Sequence, residues 1–168
     1  MQRRTLLKLG MTSAAVLVIV GGAAALVQPG LTSGVLSPQA RAVFTAVGAA
    51  VLDKTLPSQA GPRQIALNGL LSRVEALVSA LPQHAQSELS QLLALLGTTP
   101  GRRGLAGLSA PWAEAGVAEV QLALQDMRLS ALALRQQAYA ALHDITAGAY
   151  FSDPSSWAVL GYPGPLKI

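Results

Sequence analysis

Apolar residues recur at helical spacing through almost all of this chain after residue 36, and no stretch shows the β-branched and aromatic alternation of strands. Ser37-Pro38 supplies an N-cap followed by proline at the first helical position, where a missing N–H costs nothing. Ala40, Val43, Phe44, Val47 and Val51 then form one stripe, which Leu56-Pro57 closes. After Ser58-Gln59-Ala60-Gly61-Pro62 comes a second stripe of Leu67, Leu70, Leu71, Val74, Leu77, Val78 and Leu81. Pro82 restarts the chain, and Ala85, Leu89, Leu92, Leu93 and Leu96 make a third, with Gly97 placed as a left-handed C-cap. Ser109-Ala110-Pro111-Trp112 reads as a helix start with an apolar anchor. Helix pattern then runs from Val117 to about Tyr150, broken once near Met127-Arg128, with Leu132, Tyr139, Leu142 and Ala149 on one side. The expected fold is all-α: one small domain of about five helices.

The first twenty-seven residues lie outside that domain. Arg3, Arg4 and Lys8 give a positive opening, Met11 to Val27 is uncharged and largely apolar, and Ala23-Ala24-Ala25 offers small side chains to a signal peptidase. This is the tripartite pattern of an export leader. Arg3-Arg4-Thr5-Leu6-Leu7-Lys8 follows the twin-arginine pattern of two arginines, any residue, a large apolar pair and lysine, with Gln2 where Ser or Thr is usual and Leu6 where Phe is most typical. The route it addresses carries folded cargo. Cleavage is expected after Ala25, with Ala23 and Ala25 as the residues read by the peptidase. The alternative is a retained anchor, because about seventeen uncharged residues sit at the lower limit of a membrane-spanning helix.

Setting the leader aside changes the charge balance. The whole chain has twelve Lys and Arg against eight Asp and Glu; three of the cations are in the leader, which leaves nine against eight. A nearly neutral remainder gives no support for nucleic-acid binding, which needs a basic face. Roughly 130 to 145 residues suffice for one buried core and not for two. With no cysteine there is no disulfide, thiolate nucleophile, Cys-bound zinc or Cys-linked haem. His84 and His143 each lack a second histidine three or four residues away, so neither anchors a metal site by spacing; both read as surface histidines. No nucleophile elbow, paired-carboxylate motif, zinc helix or dinucleotide fingerprint is present, and the scattered acids read as solvated faces. No catalytic residue is assigned, and the chain is expected not to be an enzyme.

Two segments break the helical monotony. Gly97 to Gly107 reads as the one flexible loop; Arg102 and Arg103 within it either pair with carboxylates on a partner or are simply solvated. The C-terminus is different again. Of seven aromatic residues in the chain, Tyr150, Phe151, Trp157 and Tyr162 fall within thirteen positions, among Asp153-Pro154 and Pro163-Gly164-Pro165. Asp153 can cap a short helical turn starting at Pro154, Gly161 can end it in the left-handed region, and Pro163-Gly164 suits a type II turn. A stiff segment with large rings suits an interface, and the same rings could instead fold back to complete the protein's own core.

The run Tyr150-Phe151-Ser152-Asp153-Pro154-Ser155-Ser156-Trp157-Ala158-Val159-Leu160-Gly161-Tyr162-Pro163-Gly164-Pro165 resembles the ending of the gluconate 2-dehydrogenase subunit 3 family. Leu36-Ser37-Pro38-Gln39-Ala40-Arg41-Ala42 is similar to that family's helix opening after the leader, and Arg135 to Leu142 to its last helix. The resemblance implies a non-catalytic small subunit of a periplasmic dehydrogenase associated with the inner membrane, acting on sugars, sugar acids or other alcohols. A large subunit would hold FAD, and a cytochrome c subunit with haem c would pass electrons on. The small subunit would carry the export signal for its leaderless partner through the twin-arginine translocase; this chain itself would hold no cofactor. The residues of the aromatic tail expected to bind that partner are Tyr150, Phe151, Trp157, Gly161, Tyr162, Pro163, Gly164 and Pro165. The competing expectation is a stand-alone helical envelope protein, exported or anchored, that binds a different partner. The chain thus divides into a leader (1–27), a linker (28–36), a helical domain (37–151) and a docking tail (152–168).

Overall fold

The Ser37 hydroxyl accepts the Ala40 amide at 3.2 Å, with Pro38 as the first helical residue, so the N-terminal cap forms as its sequence predicts. In the computed structural model, which describes residues 28–164, it opens α1 (Pro38–Val51). The chain continues through α2 (Ala60–Ser79), α3 (Gln83–Gly97), a one-turn α4 (Thr99–Gly101), α5 (Val117–Arg128) and α6 (Ala133–Phe151). A π-helical turn, Arg102–Ala106, follows α4 directly, and a 3-10 turn, Pro154–Leu160, follows α6. Over the described residues the fold is all-α, with five long helices. Arg3, Arg4, Leu6, Leu7, Lys8, Ala23, Ala25 and Pro165, for which roles are expected above, lie outside the described residues.

Helix α1 is the central element. It packs against α2, α3, α5 and α6, and its stripe of Ala40, Val43, Phe44 and Val47 is fully buried. The other stripes converge on it: Leu67, Leu70, Leu71, Val74 and Val78 from α2, Leu89, Leu93 and Leu96 from α3, and Leu142 and Ala149 from α6. At about 0.8 kcal/mol per buried CH₂, these aliphatics supply most of the drive to fold. Leu132 does not join them; it is 64% exposed and precedes α6 as its cap residue.

Three expectations need correction. Residues 28–36 are not a bare linker, because Leu31–Thr32 (β1) pairs antiparallel with Val35–Leu36 (β2), and Leu31 and Leu36 are buried. Ser33 and Gly34 both have positive φ, 51° and 80°, the backbone twist that joins two strands tightly. Gly97 is not a left-handed cap; it ends α3 in front of an extended Thr98, and a Cβ there would come 3.1 Å from Gln39 Cβ on α1. Its lack of a side chain serves the α1–α3 approach.

The third correction concerns the supposed flexible loop. Thr98 caps α4, accepting the Gly101 amide on its hydroxyl at 3.1 Å, and the chain then stays helical to Ala106. Arg102 is buried at 7% exposure, with Nη2 donating to the Ser109 carbonyl at 3.3 Å, whereas Arg103 is exposed. Arg102 is therefore not a solvated loop charge. Beyond the turn Trp112 is buried and donates Nε1–H to the Leu96 carbonyl at 2.8 Å, occupying an acceptor that the end of α3 leaves open. The anchor is as expected, but the helix after it begins only at Val117.

Candidate functional site

Helix α6 delivers its last residues, and the tail after them, against the C-terminal half of α2 and the turn that follows α1. Tyr150 is buried at 7% exposure and its hydroxyl donates to the Thr55 carbonyl at 3.3 Å, beyond the end of α1. Phe151, half-buried against the core, meets Tyr150 edge-to-face at 5.1 Å. These two rings complete the protein's own core, so Tyr150 presents no face to a partner and its assignment as a docking residue is corrected.

Beyond them the backbone is fixed by a sequence of local bonds. Asp153 Oδ1 accepts the Ser155 amide at 2.9 Å, and its carbonyl accepts the Ser156 amide at 3.0 Å and the Ser156 hydroxyl at 2.7 Å. This is the cap that Asp153-Pro154 predicts. Gly161 lies in the left-handed region at φ 67°, and the Tyr162 amide reaches back five residues to the Trp157 carbonyl at 3.1 Å, the closure of a helix end that a left-handed glycine permits. Gly164, at φ 98°, satisfies what a Pro-Gly turn needs, and a Cβ on it would touch the Trp157 ring at 3.5 Å.

Within that frame the two remaining rings differ. Trp157 is half-buried, its Nε1–H donating to the Phe151 carbonyl at 2.8 Å. Tyr162 packs its ring on Trp157 at 5.4 Å and keeps 49% exposure, and Gly161 and Pro163 beside it are exposed. Trp157 thus works as the post and Tyr162 as the displayed face.

A residue that sequence reasoning passed over ties the tail to the bundle. Arg73 of α2 donates Nε–H to the Ala149 carbonyl at 2.9 Å and Nη1–H to Asp153 Oδ2 at 3.1 Å, holding the end of α6 and the tail's cap together. A cation beside the last carbonyls of a helix also suits the helix dipole. The Ser155 hydroxyl and amide, with Arg73 adding to them, hold the Asp153 carboxyl below its ordinary range, against the opposing effect of partial burial. Nothing local marks Arg73: it borders the apolar stripe of α2, and only the antiparallel packing of α2 on α6 brings it to the tail.

A separate shallow cavity of about 210 Å³ lies among α1, α5 and α6, lined by Ala50, Val51, Gln121, Leu124, Gln125, Tyr139 and His143. His143 stacks on Tyr139 at 5.4 Å, and its Nδ1 lies 3.0 Å from Asp144 Oδ1. Its lining offers amides, one imidazole and one phenol but no paired nucleophile and base. Among the described residues no three His, Cys, Asp or Glu side chains are grouped as metal ligands, and no helix is long and apolar enough to cross a membrane. No protein-family model, curated protein or solved structure matches the chain.

Proposed function

We propose that this protein is the non-catalytic small subunit of a periplasmic, membrane-associated FAD-dependent dehydrogenase complex acting on sugars, sugar acids or other alcohols. It supplies the twin-arginine export signal and holds the flavin subunit through its C-terminal tail. The observation that carries this reading is the half-exposed Tyr162 ring, set on Trp157 at the end of a segment whose backbone is already fixed. A preformed arm with a displayed aromatic loses little freedom on binding, and large rings are the side chains that dominate interface energies. The resemblance of that segment and of the leader to the dehydrogenase small subunits supplies the identity of the partner. Export of a folded flavin protein also requires the route that Arg3 and Arg4 address.

The test is affinity purification of the full chain from the envelope fraction, with an absorption spectrum of the eluate. Flavin and haem bands are expected in the wild type, and flavin should be lost with Tyr162→Ala. An eluate without flavin or haem overturns the reading in favour of a stand-alone envelope protein. Replacing Arg3 and Arg4 together with Lys keeps the charge but loses the guanidinium fork, and should strand the protein in the cytoplasm. Normal export of that double variant rules out the twin-arginine route.

A further inference from the structure

The other end of α6 from the tail also displays side chains that the fold does not use. Leu129 and Leu132, in the turn between α5 and α6, are 69% and 64% exposed, although leucines elsewhere in this protein mostly build the core. Beside this turn the Arg102–Ala106 segment packs against both α5 and α6, fixed by Arg135 Nε donating to the Leu105 carbonyl at 2.8 Å. Arg103 on that segment and Arg128 at the end of α5 are exposed, and neither enters an ion pair among the described residues. Buried Arg102 and half-buried Arg135, both bonded to carbonyls, add positive charge to the same end. The nearest carboxylate on α5 in sequence is Asp126, two residues before Arg128.

The described chain also begins here. The Gln28 side chain accepts a bond from Gln39 Nε2 at 3.3 Å, and Gln39 lies against Gly97, two residues before α4. The described chain thus enters the domain at Gln28, near where α3 finishes and the π-helical turn begins. The tail is at the far end of α6, which at about 1.5 Å per residue is roughly 28 Å long.

We propose that this end is a membrane-surface contact, in which Leu129 and Leu132 enter the headgroup boundary of an anionic phospholipid bilayer while Arg103 and Arg128 pair with its phosphates. Two apolar side chains flanked by uncommitted guanidinium groups match the two components of interfacial binding, apolar insertion and attraction to anionic lipid. A retained leader, the alternative to cleavage after Ala25, would enter the domain through Gln28 and favour lipid over a second protein. The contact holds the tail away from the bilayer, towards a soluble partner. It rests on reading the chain as an envelope protein and does not require a dehydrogenase.

Because the chain has no cysteine, Leu132→Cys in the full-length protein takes a single polarity-sensitive dye at the proposed contact, and Ile65→Cys, on exposed α2, serves as reference. On vesicles containing phosphatidylglycerol, the dye at position 132 should shift to the blue and the dye at 65 should not; phosphatidylcholine vesicles should give neither shift. Adding Arg103→Gln and Arg128→Gln should raise the lipid concentration for half-maximal shift about thirtyfold. Circular dichroism checks that the variants keep their helix content. No shift at 132 on anionic vesicles that nonetheless sediment the protein overturns the proposal, because the leader alone then makes the contact. Equal shifts at 132 and 65 also overturn it, as does a shift at 132 produced by purified flavin subunit and not by vesicles, which makes the patch a protein interface.

Discussion

Two regions of this molecule are held by different means. At the end where the described chain begins, backbone lies directly on backbone: the Gly30 amide donates to the Ser90 carbonyl at 3.2 Å, the Ser37 amide returns to the Gly30 carbonyl at 2.9 Å, and the Leu31 amide bonds the Ser90 hydroxyl at 3.0 Å. At the tail side chains do the holding, through Arg73, Asp153 and the indole of Trp157. Backbone seated on backbone leaves no room for added atoms, whereas a side-chain brace can be loosened without disturbing the helices beneath. The hairpin is therefore closely fitted to the helices, and the tail is braced on them from outside.

The largest effect should come from filling the first. A Cβ on Gly30 would meet Leu93 Cβ at 2.5 Å and the Ser90 carbonyl at 2.6 Å, and neither is the free end of a flexible side chain. Gly30→Val should cost about 3 kcal/mol and lower the thermal midpoint of the whole domain, since overpacking against helix backbone forces α3 outward. Unchanged thermal unfolding would show that the hairpin is detachable and that the contrast between the two regions is false.

Next in size is the split between Arg102 and Arg103. Their shared place in a Gly-rich run makes them look equivalent, and equivalent exposed charges would be equally dispensable. Arg102→Ala should instead cost about 2 kcal/mol, through the lost packing of its methylene stem and its bond to Ser109, while Arg103→Ala should stay within about 0.5 kcal/mol. Chemical denaturation of both single variants measures this, and equal midpoints would mean that burial of Arg102 contributes nothing.

These two cases mark where the sequence was readable. Ser37-Pro38, Asp153-Pro154 and Gly161 act within a few residues of themselves, each forms the cap its local chemistry dictates, and Gly164 takes the positive φ that a Pro-Gly turn needs. The apolar stripes of α1, α2 and α3 are legible for the same reason, since a helix face repeats within its own turn. The hairpin left a weaker mark, the Ser33-Gly34 pair between Leu31-Thr32 and Val35-Leu36, too short for a strand pattern to register. Arg73, Arg102 and Tyr150 left none. Their partners are Ala149 and Asp153, Ser109, and Thr55; the first and last of these pairings depend on how helices pack. Of the candidate site, the shape of the tail could be read and its bracing could not.

At the tail end the effect should fall on binding and not on folding. Trp157→Ala removes the post under Tyr162, and Tyr162→Ala the ring it displays, so the double variant should weaken flavin-subunit binding about thirtyfold, near 2 kcal/mol. Its helix content should not change, since neither ring belongs to the core that Tyr150 and Phe151 complete. Circular dichroism and co-purification together decide the matter. Melting of the helices would make the rings structural, and undiminished co-purification would move the interface elsewhere.

The smallest effect is the most specific to the side-chain brace. Asp153 has its carboxyl held below the ordinary range by the Ser155 hydroxyl and amide and by Arg73, so the folded protein binds this proton less readily than the unfolded chain does. Its contribution is therefore fully present above the unfolded carboxylate range and is lost as pH falls through the lower, folded value. Asp153→Asn keeps an oxygen for the Ser155 amide and removes only the charge. The variant should be slightly less stable than wild type near neutral pH, and the difference should close once acid has protonated Asp153. Ser155→Ala should narrow that gap, because it removes the largest contribution to the shift while leaving the Arg73 pair in place. Thermal unfolding of the three proteins at neutral and acidic pH makes the comparison. A wild-type advantage that persists undiminished in acid would mean that the tail is held by its rings alone, and that the two regions differ in composition but not in how their stability responds to charge.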